Sequence, residues 1–136
     1  MQRITALNVR QCGRSQVDSL CRYLDTYDPH TVNLTEWQNN ANGGLFKTWA
    51  DARAMRHVGL VNSDSDNGVF IASKAEFDGH SETLVGCGAG KLMRACFPNF
   101  TMLGCYFPQR KAKAVFFRPV LPGHCIASGQ VIHSDR

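Results

Sequence analysis

Glu36 is the first residue whose type and position suggest chemistry. It closes the stretch Asp28-Pro29-His30-Thr31-Val32-Asn33-Leu34-Thr35-Glu36. Residues 31–35 are β-branched or apolar apart from one Asn, the composition of a short buried strand. A carboxylate at the C-terminal end of such a strand points to where α/β sheets hold their ligands. Asn8 stands near the end of an earlier apolar run, Arg3 to Val9. A polar amide there needs partners. Two readings stay open from the residues alone: bonds to neighbouring loop backbone, or contact with a phosphate or a metal-bound water.

The elements that must position this pair follow from the spacing. Arg3 to Val9 reads as a buried first strand. Ser15 is expected to cap a helix, with Asp18 complementing its N-terminal dipole. Val17, Leu20, Cys21, Leu24 and Tyr27 then form one apolar stripe at helical spacing. Asp28-Pro29 stops the helix, because a residue before proline is pushed out of the helical region. Strand, helix, strand with short links predicts a parallel pair joined by a right-handed crossover. Asn8 and Glu36 would therefore end adjacent strands.

Further along, Asn39 to Gly44 reads as a polar loop. A helix is expected over 45–56, with Leu45, Trp49, Ala52 and Met55 on one face. Gly68 to Lys74 reads as a buried strand, and Lys91–Phe97 with Phe100–Phe107 as an antiparallel hairpin around Pro98-Asn99. Lys111 to Phe117 can start a helix that Pro119, Pro122 and Gly123 end. His124 to Arg136 has little periodicity, with Val131-Ile132 a strand fragment at most.

Several functions are excluded. Six cysteines lack any Cys-x-x-Cys pair, which argues against a zinc site. Gly86-Cys87-Gly88-Ala89-Gly90-Lys91 fails as a phosphate loop: its glycine spacing is one residue short, and Leu92 stands where Ser or Thr must hold magnesium. The Asp64/Asp66 loop lacks the glutamate of a calcium loop. With 136 residues, 43% hydrophobic, the chain fits one globular domain, and a charge of +4 is a mild bias toward anionic partners. No apolar run has the length of a membrane span. No secretory leader opens the sequence, so the expected compartment is the cytoplasm, with the cysteines reduced.

The order of these features resembles the N-terminal half of the endonuclease/exonuclease/phosphatase family, the exonuclease-III-like and deoxyribonuclease-I-like metal-dependent phosphodiesterases. The resemblance is carried by Leu7-Asn8-Val9, the Asp28-Pro29 strand ending in Glu36, Gly68-Val69-Phe70-Ile71-Ala72-Ser73-Lys74 and Tyr106-Phe107-Pro108. It spans roughly residues 3 to 117. It implies an α/β fold, part of a four-layer α/β sandwich with mixed sheets and flanking helices. It also implies a magnesium- or manganese-dependent hydrolase of phosphate esters, with nucleic acid as the leading substrate class. Glu36 would hold the metal, Asn8 would serve the phosphate and metal site, and Tyr106 would contact the scissile phosphate. Magnesium suits such a set, since it prefers oxygen ligands and needs one or two carboxylates.

The sequence departs from the family pattern in two ways. Arg10 stands where many members carry Asn or Asp, and there it can hold a phosphate oxygen. The Gly-Asp-x-Asn and Ser-Asp-His motifs of the family's second half are absent. The expectation is thus a truncated or frame-shifted relative: a half-domain over 1–117 and an irregular tail over 118–136. With strands for mainly one sheet, such a chain is expected to be poorly soluble, to self-associate through an uncovered sheet face, or to be only partly ordered after Phe117. An alternative is a non-catalytic remnant, or a small basic nucleic-acid-binding module. Arg110, Lys111, Lys113 and Arg118 would then contact phosphates beside Phe116 and Phe117.

Overall fold

The computed structural model describes residues 1–10, 13–61, 63–82, 91–107 and 130–133. Strand β1 (Ile4–Asn8), helix α1 (Arg14–Tyr27) and strand β2 (Thr31–Trp37) form the expected βαβ unit. The two strands run parallel, from Ile4 opposite Thr31 to Asn8 opposite Thr35. The helix starts earlier than Ser15 implies. Gly13 is its cap: its N–H donates to Gln16 Oε1 at 2.7 Å, and its carbonyl accepts from Val17 N–H at 3.0 Å. The stripe is also shorter at its far end. Val17 and Leu24 are buried, whereas Tyr27 is 54% exposed and rests on Tyr23.

At the C-terminus of α1, Asp28 adopts φ 43° and its N–H donates to Leu24 O at 3.0 Å. Its carboxylate accepts from Lys74 Nζ at 2.6 Å and from Arg3 at 2.8 Å. The Lys74 hydrogen bond and charge hold the Asp28 carboxyl below the usual range, with Arg3 and His30 adding to the effect. One exposed side chain thus joins the end of α1, the start of β1 and the end of β4.

Helix α2 (Ala41–Asp51) differs from the expected 45–56. The run Asn40 to Gly44 is its N-terminus rather than a loop. Asn40 Oδ1 accepts from Gly43 N–H at 3.0 Å, a side-chain cap that the polar composition disguised. Gly43 is required there, because a Cβ would run into the Gln38 carbonyl. The buried face is Phe46, Trp49 and Ala50, while Ala52 is exposed. Trp49 Nε1 donates to Asp25 Oδ1 at 3.0 Å, and Arg53 stacks over Trp49 while pairing with Asp25, which ties α2 to α1.

Strand β3 (Arg56–Leu60), which the sequence reading had no place for, pairs with β4 (Gly68–Ser73). The first sheet has the order β1-β2-β4-β3, parallel between β1 and β2 and antiparallel elsewhere. A second sheet contains β5 (Asp78–Glu82), β6 (Lys91–Cys96), β7 (Thr101–Tyr106) and β8 (Gln130–His133), antiparallel and in sequence order. The β6–β7 hairpin is as expected.

Core residues occupy both faces of the first sheet. On the helix side, Val32, Leu34, Trp37, Phe70 and Ala72 meet Val17, Leu24, Phe46 and Trp49. On the other side, Val69 and Ile71 meet Met93, Ala95 and Met102 of the second sheet. The expectation of mainly one sheet is therefore wrong. The hairpin strands turn one face inward against β4 rather than extending its sheet. Leu92, Leu103 and Cys105, on the other face, are buried as well. Burial pushes the Cys105 thiol up to about 12. Among the described residues, the only exposed large hydrophobics are Met1, Tyr23 and Tyr27. The apolar faces of both sheets are thus covered among the described residues.

The two sheets approach closely at Gly104. A Cβ on it would lie 2.6 Å from Val69 Cγ1, 3.0 Å from Asn33 Oδ1 and 3.2 Å from Ile71 Cδ1. Asn33 is fully buried, and neither atom of its amide has a hydrogen-bond partner. No described helix is long and apolar enough to cross a membrane.

Candidate active site

The first sheet presents Asn8 and Glu36 together. In a regular strand Glu36 would fall on the helix side, in step with Val32 and Leu34. Instead the register between β2 and β4 shifts between Thr35 and Trp37, and Glu36 takes φ 55°. The bulge gives the helix-side position to Trp37, which packs on Phe70 and donates from Nε1 to Gly43 O at 3.1 Å. It leaves Glu36 aimed at Asn8, the re-aiming that bulges perform beside functional sites. Asn8 Nδ2 donates to Glu36 Oε1 at 2.9 Å, and Asn8 Oδ1 accepts from the Arg10 N–H at 3.0 Å. Asn8 thus bonds loop backbone through Arg10, as the first of the two readings expects, and its other partner is the Glu36 carboxylate.

Arg10 is exposed, with φ 47°. Glu36 and Arg10 are both non-glycine residues in the left-handed region, a conformation costing about 1–2 kcal/mol each. Such strain gathers at functional positions. Asn8 and Arg10 line an open groove of about 450 Å³ that runs along Ser15, Gln16 and Ser19 on the first turns of α1.

Tyr106 comes from the second sheet, at the end of β7. Its hydroxyl accepts from Asn67 Nδ2 at 3.5 Å. Asn67 Oδ1 in turn accepts from Gln38 Nε2 at 3.2 Å, and Gln38 follows Glu36 by two residues. The end of β7 and the end of β2 therefore lie at the same end of the sandwich. Lys91 stands directly opposite Tyr106 in the β6–β7 register and is 5% exposed. Sequence reasoning missed Lys91, because it was absorbed into the glycine-rich run before it. Gln38 and Asn67 carried no signal at all, being amides in loops. Arg110 and Lys111 lie outside the described residues, as do Lys113, Phe116, Phe117 and Arg118.

A divalent cation fits this donor set only in a particular form. Among the described residues, no three His, Cys, Asp or Glu side chains gather as a metal cage. Glu36 offers one carboxylate, with Oε1 engaged by Asn8. One carboxylate with retained waters is a coordination magnesium accepts and zinc does not.

The fold is of the deoxyribonuclease-I-like type. Among solved structures, the chain is similar to a humanized TDP2 of D. rerio carrying 14 mutations. The TM-score is 0.68 and the identity 18%, over 88% of this chain and 58% of that one. It is similar to D. rerio TDP2 complexed with a single-strand DNA product, at TM-score 0.66 and 19% identity, over 88% of this chain and 53% of that one. An AP endonuclease from Archaeoglobus fulgidus matches at TM-score 0.59 and 23% identity, over 79% of this chain and 42% of that one. The chain thus spans about half the length of the structures it matches. No family model and no curated protein matches it by sequence.

Proposed function

We propose that this chain carries part of a metal-assisted phosphodiesterase site for nucleic acid. The observation that supports this best is the Asn8–Glu36 hydrogen bond at the ends of two parallel strands, made possible by the bulge at Glu36. Glu36 would hold magnesium or manganese through the carboxylate oxygen that Asn8 leaves unengaged. When bound, the ion polarises a phosphoryl oxygen and offsets the charge of an in-line displacement. Asn8 orients the carboxylate and, through Arg10, the turn beyond β1. Tyr106 donates its O–H to a non-bridging phosphate oxygen. Arg10 and Lys91 supply positive charge, and Arg110 and Lys111 are proposed to extend it along the strand. Single-stranded DNA is the substrate class to try first, because a structurally similar TDP2 holds a single-strand DNA product.

The sequence lacks the aspartate and histidine motifs that supply the family's base and its second phosphate contact. Losing one such group commonly costs ~100-fold or more in rate. The chain by itself should therefore bind phosphate esters better than it cleaves them. The direct test is manganese binding followed by electron paramagnetic resonance. Glu36→Gln, nearly isosteric, should weaken it at least ~10-fold while the thermal melt stays cooperative, since ligation by a carboxylate is what the hard cation requires. Unchanged manganese affinity in Glu36→Gln would overturn the proposal. So would rapid magnesium-dependent cleavage of single-stranded DNA that survives the substitution.

A further inference from the structure

The candidate site is divided between two sheets. Asn8 and Glu36 belong to the first and Tyr106 to the second. The sheets meet through Val69, Ile71, Met93, Ala95 and Met102, whose contacts are apolar and non-directional. Such contacts set the separation of the sheets but not where a phenol at their rim points. A directional link is present at that rim. Gln38 Nε2 donates to Asn67 Oδ1 at 3.2 Å and to Ser65 O at 2.8 Å, and Gln38 Oε1 accepts from Asn40 Nδ2 at 2.9 Å. Gln38 is thereby fixed just beyond the Glu36 bulge. With its oxygen committed to Gln38, the Asn67 amide must present N–H groups on its other side. That side faces the Tyr106 hydroxyl at 3.5 Å.

We infer that Asn67 is a positioning residue, aligning Tyr106 of the second sheet with Glu36 of the first; the inference rests on the reading of Tyr106 as a phosphate contact. The chemistry has a definite sense. A phenol oxygen that accepts from Asn67 keeps its own O–H proton for another acceptor, and a phosphate oxygen is such an acceptor. Asn67 makes Tyr106 a donor toward substrate. The contact is long without substrate, as such bonds commonly are before a ligand tightens them.

Two measurements on the full chain test this. In a proton–nitrogen spectrum, Tyr106→Phe should move the Asn67 side-chain amide signal, and Gln38→Leu should move it too. Thymidine 5′-monophosphate with magnesium chloride, titrated calorimetrically, is the second probe. Tyr106→Phe should weaken it ~10-fold, the size of one lost hydrogen bond to a charged group. Asn67→Ala should weaken it comparably and add nothing in the Tyr106→Phe background. An Asn67 signal indifferent to Tyr106→Phe would overturn the inference, as would an Asn67→Ala loss that persists in full without the phenol. If Tyr106→Phe leaves nucleotide affinity unchanged while the amide signal still moves, the phosphate role of Tyr106 fails and the positioning contact stands.

Discussion

Adding one methyl group at Gly104 tests the two-sheet architecture more sharply than removing a large side chain would. Gly104→Ala places a Cβ 2.6 Å from Val69 Cγ1, with Asn33 Oδ1 at 3.0 Å and Ile71 Cδ1 at 3.2 Å. All three neighbours are fully buried. Val69 is β-branched and stiff about χ1, so its methyl cannot swing aside cheaply. Overpacking of this kind costs about 1–3 kcal/mol, and stiff neighbours place it at the upper end. The loss of glycine's freedom in the unfolded chain returns about 0.4–1 kcal/mol. The net expectation is a loss of about 2 kcal/mol. Val69→Ala alone should cost a similar amount, because it removes two buried methyl groups at about 0.8 kcal/mol each and leaves a small cavity. The double variant puts the new methyl into the space just vacated. Its loss should fall short of the sum by at least about 1 kcal/mol. Urea unfolding of the four proteins, with stability extrapolated to water, measures the cycle. A neutral Gly104→Ala, or strict additivity with Val69→Ala, would refute the close approach of β7 to β4.

Three further outcomes follow from other features. Glu36→Gly and Glu36→Ala both remove the carboxylate, but at φ 55° the glycine variant should be the more stable by about 1 kcal/mol; the reverse order in urea unfolding would deny the left-handed bulge. Asn33→Leu replaces two buried, unpartnered polar atoms with methyl groups on the same branched skeleton; the relief of unmet polar atoms, set against the added bulk beside Gly104, should leave the unfolding free energy unchanged or raised by about 1 kcal/mol, and a loss beyond the ~3 kcal/mol of overpacking would mean the amide has a partner. Asp28 has a lowered folded-state pKa, so its contribution is present above the unfolded value near pH 4 and is lost as pH falls through the folded value. Asp28→Asn should accordingly lower the melting temperature at neutral pH, with the gap to the native chain closing below about pH 4; a gap that widened in acid would contradict the Lys74 contact.

The adjacency of Asn8 and Glu36 could be read from sequence because it depends on short-range logic. A helix stopped by Asp28-Pro29 between two apolar strands favours a parallel neighbouring pair, which puts Asn8 and Glu36 at adjacent strand ends. The bulge was not readable, since Glu36 is an unusual residue at φ 55° and a glycine would have been its signal. Helix α2 was displaced in the reading because its cap and close helix approach use Asn40 and Gly43, residues that also make loops. Strand β5 left no trace because Asp78, Gly79, His80 and Ser81 are all exposed on an edge strand, where no alternation is imposed. The second sheet was mistaken for part of the first. Alternating apolar residues in β6 and β7 say that a face is buried, but not against what.

The division of the candidate site between sheets has a consequence for how it would fail. The apolar joint interlocks closely at Gly104 and holds the sheets together, whereas the link at the rim rests on the 3.5 Å contact from Asn67 to Tyr106. Gentle warming or dilute denaturant should therefore break that rim contact while each sheet keeps its own backbone hydrogen bonds. Tyr106 would drift from Glu36 before any strand is lost. Alignment would go first and secondary structure last, so far-ultraviolet dichroism would report an intact fold in a molecule that has lost its Asn67–Tyr106 contact.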